Sequence, residues 1–484
     1  MPRRFTTAIT AAVLGAVLSA AGCVRDNIVY RDKSPVQPPA AAAKFVGYSD
    51  TSSKQTTCGS CHVDQQVTWT QTKHAKAWAD LQASGHSDAS CNACHSVSQL
   101  GNAVTDAAVG YAATKDARYE DVQCENCHGP GLDHVTTPTI SNRPLASIMA
   151  DTGTKIGNGC GECHTGTHDP FVDEWKQSAH GLVPNQSHVT TSTNTTCVTC
   201  HVGQSALTKF NVKTAYLEQG KDVTAPTPIT CAVCHDPHKP SNTAQLRFSV
   251  TSQDPTQNLC MQCHNRDSGP NPTSSYSPMT PETATLLGTA GWWPPNLKLV
   301  DSTAILATHG SEGNSRMCAT CHVARATITN AAGGFVFQST GHTFQAIPCA
   351  DSLGRPTTGE CAISKRSFTA CAGSGCHATS SVAQSLYVTD SLRIAALETT
   401  LSGQIAKVNA ATELNYKSTT LTTAKGAKWN LMLAQKPGGW VHNPFLIEAL
   451  LTASIKQMQI DYGIAPSGNV TLNNILHRPS NLTK

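Results

Sequence analysis

Residues 58–74 read Cys58-Gly-Ser-Cys61-His62-Val-Asp-Gln-Gln-Val-Thr-Trp69-Thr-Gln-Thr-Lys-His74. The opening pattern, C-x-x-C-H, returns at Cys91/Cys94/His95, Cys124/Cys127/His128, Cys160/Cys163/His164, Cys197/Cys200/His201, Cys231/Cys234/His235, Cys260/Cys263/His264 and Cys318/Cys321/His322. A disulfide or a zinc site uses paired cysteines but has no need of a histidine straight after every second one. Covalent haem needs both. Two thiols add to the porphyrin vinyl groups, and the adjacent imidazole binds iron from one side. The repeated motif therefore predicts haem c at eight positions.

Five cysteines remain. Cys23 belongs to the N-terminal leader. Cys371-Ala-Gly-Ser-Gly-Cys376-His377 has four intervening residues instead of two. It resembles the expanded attachment motif of some multihaem cytochromes, and its glycines give a longer loop freedom to curl under a porphyrin. This predicts a ninth haem. Cys349 and Cys361 bracket 11 residues and are expected to pair as a disulfide in an oxidising compartment. A rival arrangement attaches the haem through Cys361 and Cys376.

The composition agrees with a core made of cofactor. Only 14% of the 484 residues are charged and 5% are aromatic, against a usual charged share of about 25%. Porphyrin fills the middle instead. Lys+Arg (35) nearly balance Asp+Glu (32), which argues against a nucleic-acid partner. With two propionates and one net iron-porphyrin charge per ferric haem, the mature holoprotein carries about −8. One apolar stretch exists, at the extreme N-terminus, so a polytopic membrane protein is excluded.

That stretch has the layout of an export signal. Arg3 and Arg4 precede an apolar run from Ala8 to Ala21, which ends Leu18-Ser-Ala-Ala-Gly22-Cys23. The ending resembles a bacterial lipobox, with Ala20 where leucine is commonest. It predicts cleavage before Cys23 and a lipid anchor there. Val24, not aspartate, follows, which favours the outer membrane. The expected organisation is a leader over 1–22, a Pro- and Ala-rich tether over 23–56 and a seven-haem region over 57–264. A Pro-rich haem-free connector follows over 265–317, then the last two haems over 318–377 and a helical region over 378–484.

Nine of the 20 histidines follow an attachment cysteine. Eleven are left as candidate second ligands: His74, His86, His134, His168, His180, His188, His238, His309, His342, His442 and His477. His477, in a polar tail, is the one expected to be spare. Methionines number seven, including Met1, so bis-histidine iron of low potential is expected throughout.

Residues 58–128 and 160–235 repeat the order motif, tryptophan, histidine five residues on, motif, motif. The matched motif starts are offset by 102, 106 and 107 residues. The second copy reads Trp175-Lys-Gln-Ser-Ala-His180. This pattern resembles the cytochrome c-554-like module of bacterial multihaem cytochromes, with Thr72 standing where the second copy has Ser178. The resemblance implies that His74 and His180 are distal ligands, with each tryptophan packed on a porphyrin. Cys124–His128 followed by Gly-Pro-Gly and His134, and Cys231–His235 followed by Asp-Pro-His238, resemble the same superfamily. Each Pro-containing turn would place its later histidine over a neighbouring haem.

Between the repeat and the C-terminus, Trp292-Trp293-Pro-Pro reads as part of a surface loop wrapping haem faces, with a docking loop as the alternative. His309 is read as ligand to a remote haem. Leu386, Ile394, Leu397, Leu401, Ile405 and Val408 predict an amphipathic helix of 25–30 residues. A second helix is expected from Asn443-Pro444, presenting Ile447, Leu450, Leu451, Ser454 and Met458. Gly439-Trp-Val-His442-Asn-Pro444 resembles the C-terminal region of the pentahaem nitrite reductase and octahaem cytochrome superfamily. There the histidine of G-x-H-N-P ligates haem, which implies the same for His442. Here only H-N-P is in register.

The expected fold is mainly α with much irregular loop, packed on haem, with long C-terminal helices. The expected function is electron transfer by an exported cytochrome between redox partner proteins, with an extracellular metal oxide as one plausible acceptor. The alternative is a reductase of nitrite, hydroxylamine or tetrathionate. That would need an iron with an open position, for which relatives commonly use C-x-x-C-K, and no such motif is present.

Overall fold

The computed structural model describes residues 44–466 apart from 103, 151–158, 167, 183–194, 214, 296–307 and 374. The leader with Cys23, most of the tether, His188 and His477 lie outside the described residues. Helices supply most of the regular structure, and the strands form three two-stranded ladders.

The attachment motifs set the scale of the elements. Most fold as one short helical turn, as at Cys58–Ser60, Cys124–His128, Cys160–Glu162, Cys231–Cys234, Cys260–Gln262 and Cys318–His322. One turn carries positions i and i+3 to the same face, so both thiols of a motif address one porphyrin edge. A backbone bond from the histidine N–H to the first cysteine's carbonyl closes the turn, at 3.0 Å for His62, His164 and His264. The longer ninth motif closes the same way, His377 N–H to Cys371 O at 3.3 Å, with Gly375 at φ +76° making the bend.

Through residues 44–317 the apolar packing is broken into small groups, such as Phe45/Val97/Val109/Tyr119 and Tyr48/Trp69/Ala75. Such groups are too small to order this much chain alone, which leaves cofactor to complete the core. Helix α1 (Val63–Trp69) runs from the first motif, and helix α2 (Phe171–Lys176) is its counterpart in the second copy. After the eighth motif, strands β1 (Ala326–Thr329) and β2 (Phe335–Ser339) pair antiparallel. Cys349 and Cys361 form the expected disulfide, with Cα atoms 6.0 Å apart. Cys371 and Cys376, the cysteines of the ninth motif, take no part in that disulfide.

The largest apolar core lies in a C-terminal three-helix unit: α3 (Ser380–Ile405), α4 (Thr423–Ala434) and α5 (Pro444–Tyr462). Side chains cap all three, Thr379 accepting from Val382 N–H, Thr422 from Lys425 N–H and Asn443 from Leu446 N–H. The expected face of α5 is buried as read. The face of α3 is buried only in its second half, at Ile394, Leu397 and Leu401; Leu386 is half exposed. Helix α4 was not anticipated.

The connector corrects another expectation. Trp292 is not part of a surface loop. It is buried in the three-helix core, its backbone N–H donating to Asn430 Oδ1 at 2.8 Å and its backbone carbonyl accepting from Asn430 Nδ2 at 2.7 Å. Among the described residues no helix is long and apolar enough to cross a membrane.

Candidate haem sites

Six attachment histidines each face a second histidine from far along the chain. Ring centroids are 6.1 Å apart for His164 and His74, His128 and His238, His264 and His180, and His322 and His442. They are 6.4 Å apart for His235 and His342, and 6.3 Å for His377 and His309. Imidazoles in van der Waals contact would sit closer. Two metal–nitrogen bonds of about 2 Å plus the two half-rings span roughly 6 Å. The gap fits one six-coordinate iron.

The remaining nitrogens are prepared for it. Nδ1 of His128 lies 3.0 Å from Pro144 O, His235 2.7 Å from Ala244 O, His322 2.8 Å from Phe344 O and His309 2.8 Å from Val441 O. His95 Nδ1 lies 3.0 Å from Ala77 O. A carbonyl accepts only from a protonated nitrogen, so these bonds fix the tautomer and reserve Nε2 for metal. Burial pushes His74, His180, His342 and His442 down to about 4. They are neutral at physiological pH, as ligands must be.

The comparisons with known proteins point the same way. Residues 141–247 match the family model "outer membrane cytochrome MtrC/MtrF-like, domains II/IV", residues 226–269 a doubled CXXCH motif, and residues 57–129 "cytochrome c554 and c-prime". The chain is a multihaem c-type cytochrome. Electron transfer is its function. The fold is similar to an undecaheme cytochrome from the S-layer of Carboxydothermus ferrireducens, at 17% identity and TM-score 0.50, covering 94% of this chain and 72% of that one. A second similar structure is the outer cell wall cytochrome OcwA, at 19% identity and TM-score 0.43, covering 76% of each chain. No curated protein matches.

In this cytochrome the tryptophan of each repeat has a definite partner. Trp69 Nε1 donates to Val122 O at 3.1 Å and Trp175 Nε1 to Ile229 O at 2.8 Å. The backbone N–H groups of Val122 and Ile229 donate in turn to the carbonyls of His74 and His180, at 3.2 and 3.1 Å. Val122 and Ile229 each stand two residues before the third motif of their copy. The tryptophan thus ties the histidine-bearing turn to the next attachment site.

Thiols of different motifs also meet. Cys58 lies beside Cys124, Cys94 beside Cys163, Cys160 beside Cys231, Cys200 beside Cys263 and Cys260 beside Cys318, each pair close enough to interact electrostatically. At longer range, the charge of Cys127 would be felt at Cys160 and Cys163, that of Cys234 at Cys260 and Cys263, and that of Cys321 at Cys371 and Cys376.

His62, His95 and His201 face no second histidine ring among the described residues. His134 has its Nδ1 3.2 Å from Asn142 Oδ1. His86 and His168 are exposed, and neither faces another histidine ring among the described residues. Two buried carboxylates had no motif to announce them. Glu125 accepts from Val46, Gly47 and Gly131 N–H at 2.8–3.0 Å and pins the chain's first described segment to the third motif. Burial raises its carboxyl to about 7 against the pull of those donors. Glu174 accepts from Thr340 N–H, Thr340 Oγ1 and His342 N–H at 2.9, 2.6 and 2.7 Å. Their only sequence signal is that they are carboxylates in a chain poor in charge.

Proposed function

We propose that this chain holds nine haems c, all six-coordinate, and conducts electrons along them from one end of the molecule to the other. The observation that carries the reading is the set of six facing histidine pairs. The attachment residues are the cysteines of the eight regular motifs together with Cys371 and Cys376. The proximal ligands are His62, His95, His128, His164, His201, His235, His264, His322 and His377. Six distal ligands are His74, His180, His238, His309, His342 and His442. The partners of His62, His95 and His201 come from His134, His86, His168 and His188, and His134 is prepared as the assigned ligands are.

Each bound haem supplies a one-electron iron couple that exchanges with its neighbours at the porphyrin edges. The protein's own work is to fix spacing and to close both faces of each iron. Numbering haems in chain order, the proximity of their thiols supports links from 1 to 3, 3 to 4, 4 to 6, 6 to 7, 7 to 8 and 8 to 9. Haem 2 joins the line at 4 and haem 5 joins it at 7. Every attachment site belongs to this one connected set.

The basic start and the run ending at Cys23 support an exported, lipid-anchored protein, and the surface-cytochrome names among the similar proteins support the cell surface as its location. Redox partner proteins on one side and an extracellular metal oxide on the other suit such a carrier.

The test is coordination. A closed iron is low-spin when ferric and does not bind carbon monoxide when reduced. The unmodified protein should show neither high-spin ferric haem nor carbon monoxide binding. His74→Ala, His180→Ala and His442→Ala should each create one carbon monoxide-binding, high-spin haem. A native protein that already binds carbon monoxide and reduces nitrite or hydroxylamine would replace the carrier with an enzyme.

A further inference from the structure

Among the attachment histidines whose Nδ1 has a partner in the described residues, two differ in what that partner is. His128, His235, His322 and His95 have backbone carbonyls at Nδ1. His164 Nδ1 instead lies 2.6 Å from Asp169 Oδ2, and His264 Nδ1 lies 3.5 Å from Glu282 Oε2. Glu282 Oε2 is buried and makes no hydrogen bond among the described residues. Its nearest partner among the described residues is the His264 imidazole, and its charge is also felt by His442 and His322.

Both sites are built in the same way. The chain leaves the motif, turns back and clamps the histidine's own carbonyl. Val172 N–H donates to His164 O at 3.0 Å, and Thr283 N–H donates to His264 O at 3.0 Å with Thr283 Oγ1 at 2.6 Å. The returning segment carries the acid, Asp169 just before α2 and Glu282 at the start of the short helix Glu282–Leu286. The first motif lacks this device because its chain continues straight into α1, where Gln66 N–H takes the His62 carbonyl.

No lysine or arginine among the described residues pairs with either acid. Asp236, beside the distal His238 at 3.5 Å, makes the contrast: Arg247 Nη1 holds it at 3.2 Å.

We propose that Asp169 and Glu282 are tuning residues that lower the reduction potentials of the fourth and seventh haems below those of their neighbours. The inference rests on the ligation reading above. At His164 the hydrogen-bonded carboxylate draws the Nδ1 proton toward itself and makes the imidazole a stronger donor, whereas Glu282 acts on His264 through its charge. The added negative charge in a site of reduced dielectric also favours ferric iron. Both effects act in one direction. The two haems so treated are the two branch points of the line, each the neighbour of three others. Electrons therefore rest less on the junctions than on the segments beside them.

The experiment is a spectropotentiometric titration of the holoprotein with Asp169→Asn, Glu282→Gln and the double variant. Each single change should move one haem's share, roughly one-ninth of the α-band amplitude, to higher potential. The double variant should move two shares, and Asp169→Glu should return the curve toward the original. Curves that superimpose, or that shift to lower potential while the ferric protein stays low-spin, would overturn the proposal and leave the ligation reading intact. High-spin ferric haem in the unmodified protein would instead refute the ligation reading and take the tuning with it.

Discussion

Glu174 shows how a ligand is held by a residue with no chemistry of its own to perform. It is buried, and its two oxygens meet the N–H groups of Thr340 and His342 and the Thr340 hydroxyl. The loop carrying His342 is thereby fixed opposite His235, from a helix 166 residues away in sequence. Glu174→Gln keeps the shape but turns an acceptor into a donor that faces another donor. One buried N–H is then left unmade, at a cost of about 1–3 kcal/mol. The expected outcome is lower thermal stability together with fractional carbon monoxide binding at a single haem, with every haem still attached. Unchanged stability and no carbon monoxide binding would show that the carboxylate does not position His342. At this scale the sequence was legible where chemistry is local. Attachment cysteines and proximal histidines stand within five to seven residues and announce themselves. The pairing of His74 with His164 or His309 with His377 is set by chain return over tens of residues, and no local spacing encodes it.

Among the elements, the start of α5 was readable because Asn443 and Pro444 are cap and first-turn residues whose preferences are local. The burial of Trp292 was not, because its partner surface comes from a helix more than a hundred residues later. Gly426 on α4 shows why that surface exists. A Cβ there would lie 2.1 Å from the Trp292 ring, so only glycine lets the indole seat. The substitution Gly426→Ala separates two effects. Helix propensity alone predicts a gain of about 1 kcal/mol. Displacing a buried indole in a packed core predicts a net loss of about 1–3 kcal/mol. Thermal unfolding should show the loss, with residues 291–293 becoming open to limited proteolysis. A stabilised variant would mean that the Trp292 contact is not what this glycine serves. The same tertiary origin explains the half-exposed start of α3: Leu386 follows the helical period, but α4 and α5 cover only the later turns.

For the whole molecule, the composition was more informative than any element. A chain with 5% aromatic residues and small, separate apolar groups lacks the material for an ordinary interior. The thiols supply what is missing, since each pair fixes a large flat hydrophobe where the core is absent. The repeat was legible, and with it the equivalence of Trp69 with Trp175 and of His74 with His180. The order in which attachment sites touch was not, because it depends on how one copy stacks on the next. The intact mass of the mature holoprotein reads this account at its root. The account predicts nine covalently bound haems, a chain beginning at Cys23 and the added mass of its lipid. Eight haems would remove the site at Cys371 and Cys376 and cut the line at its last member, and fewer would contradict the haem-built core itself.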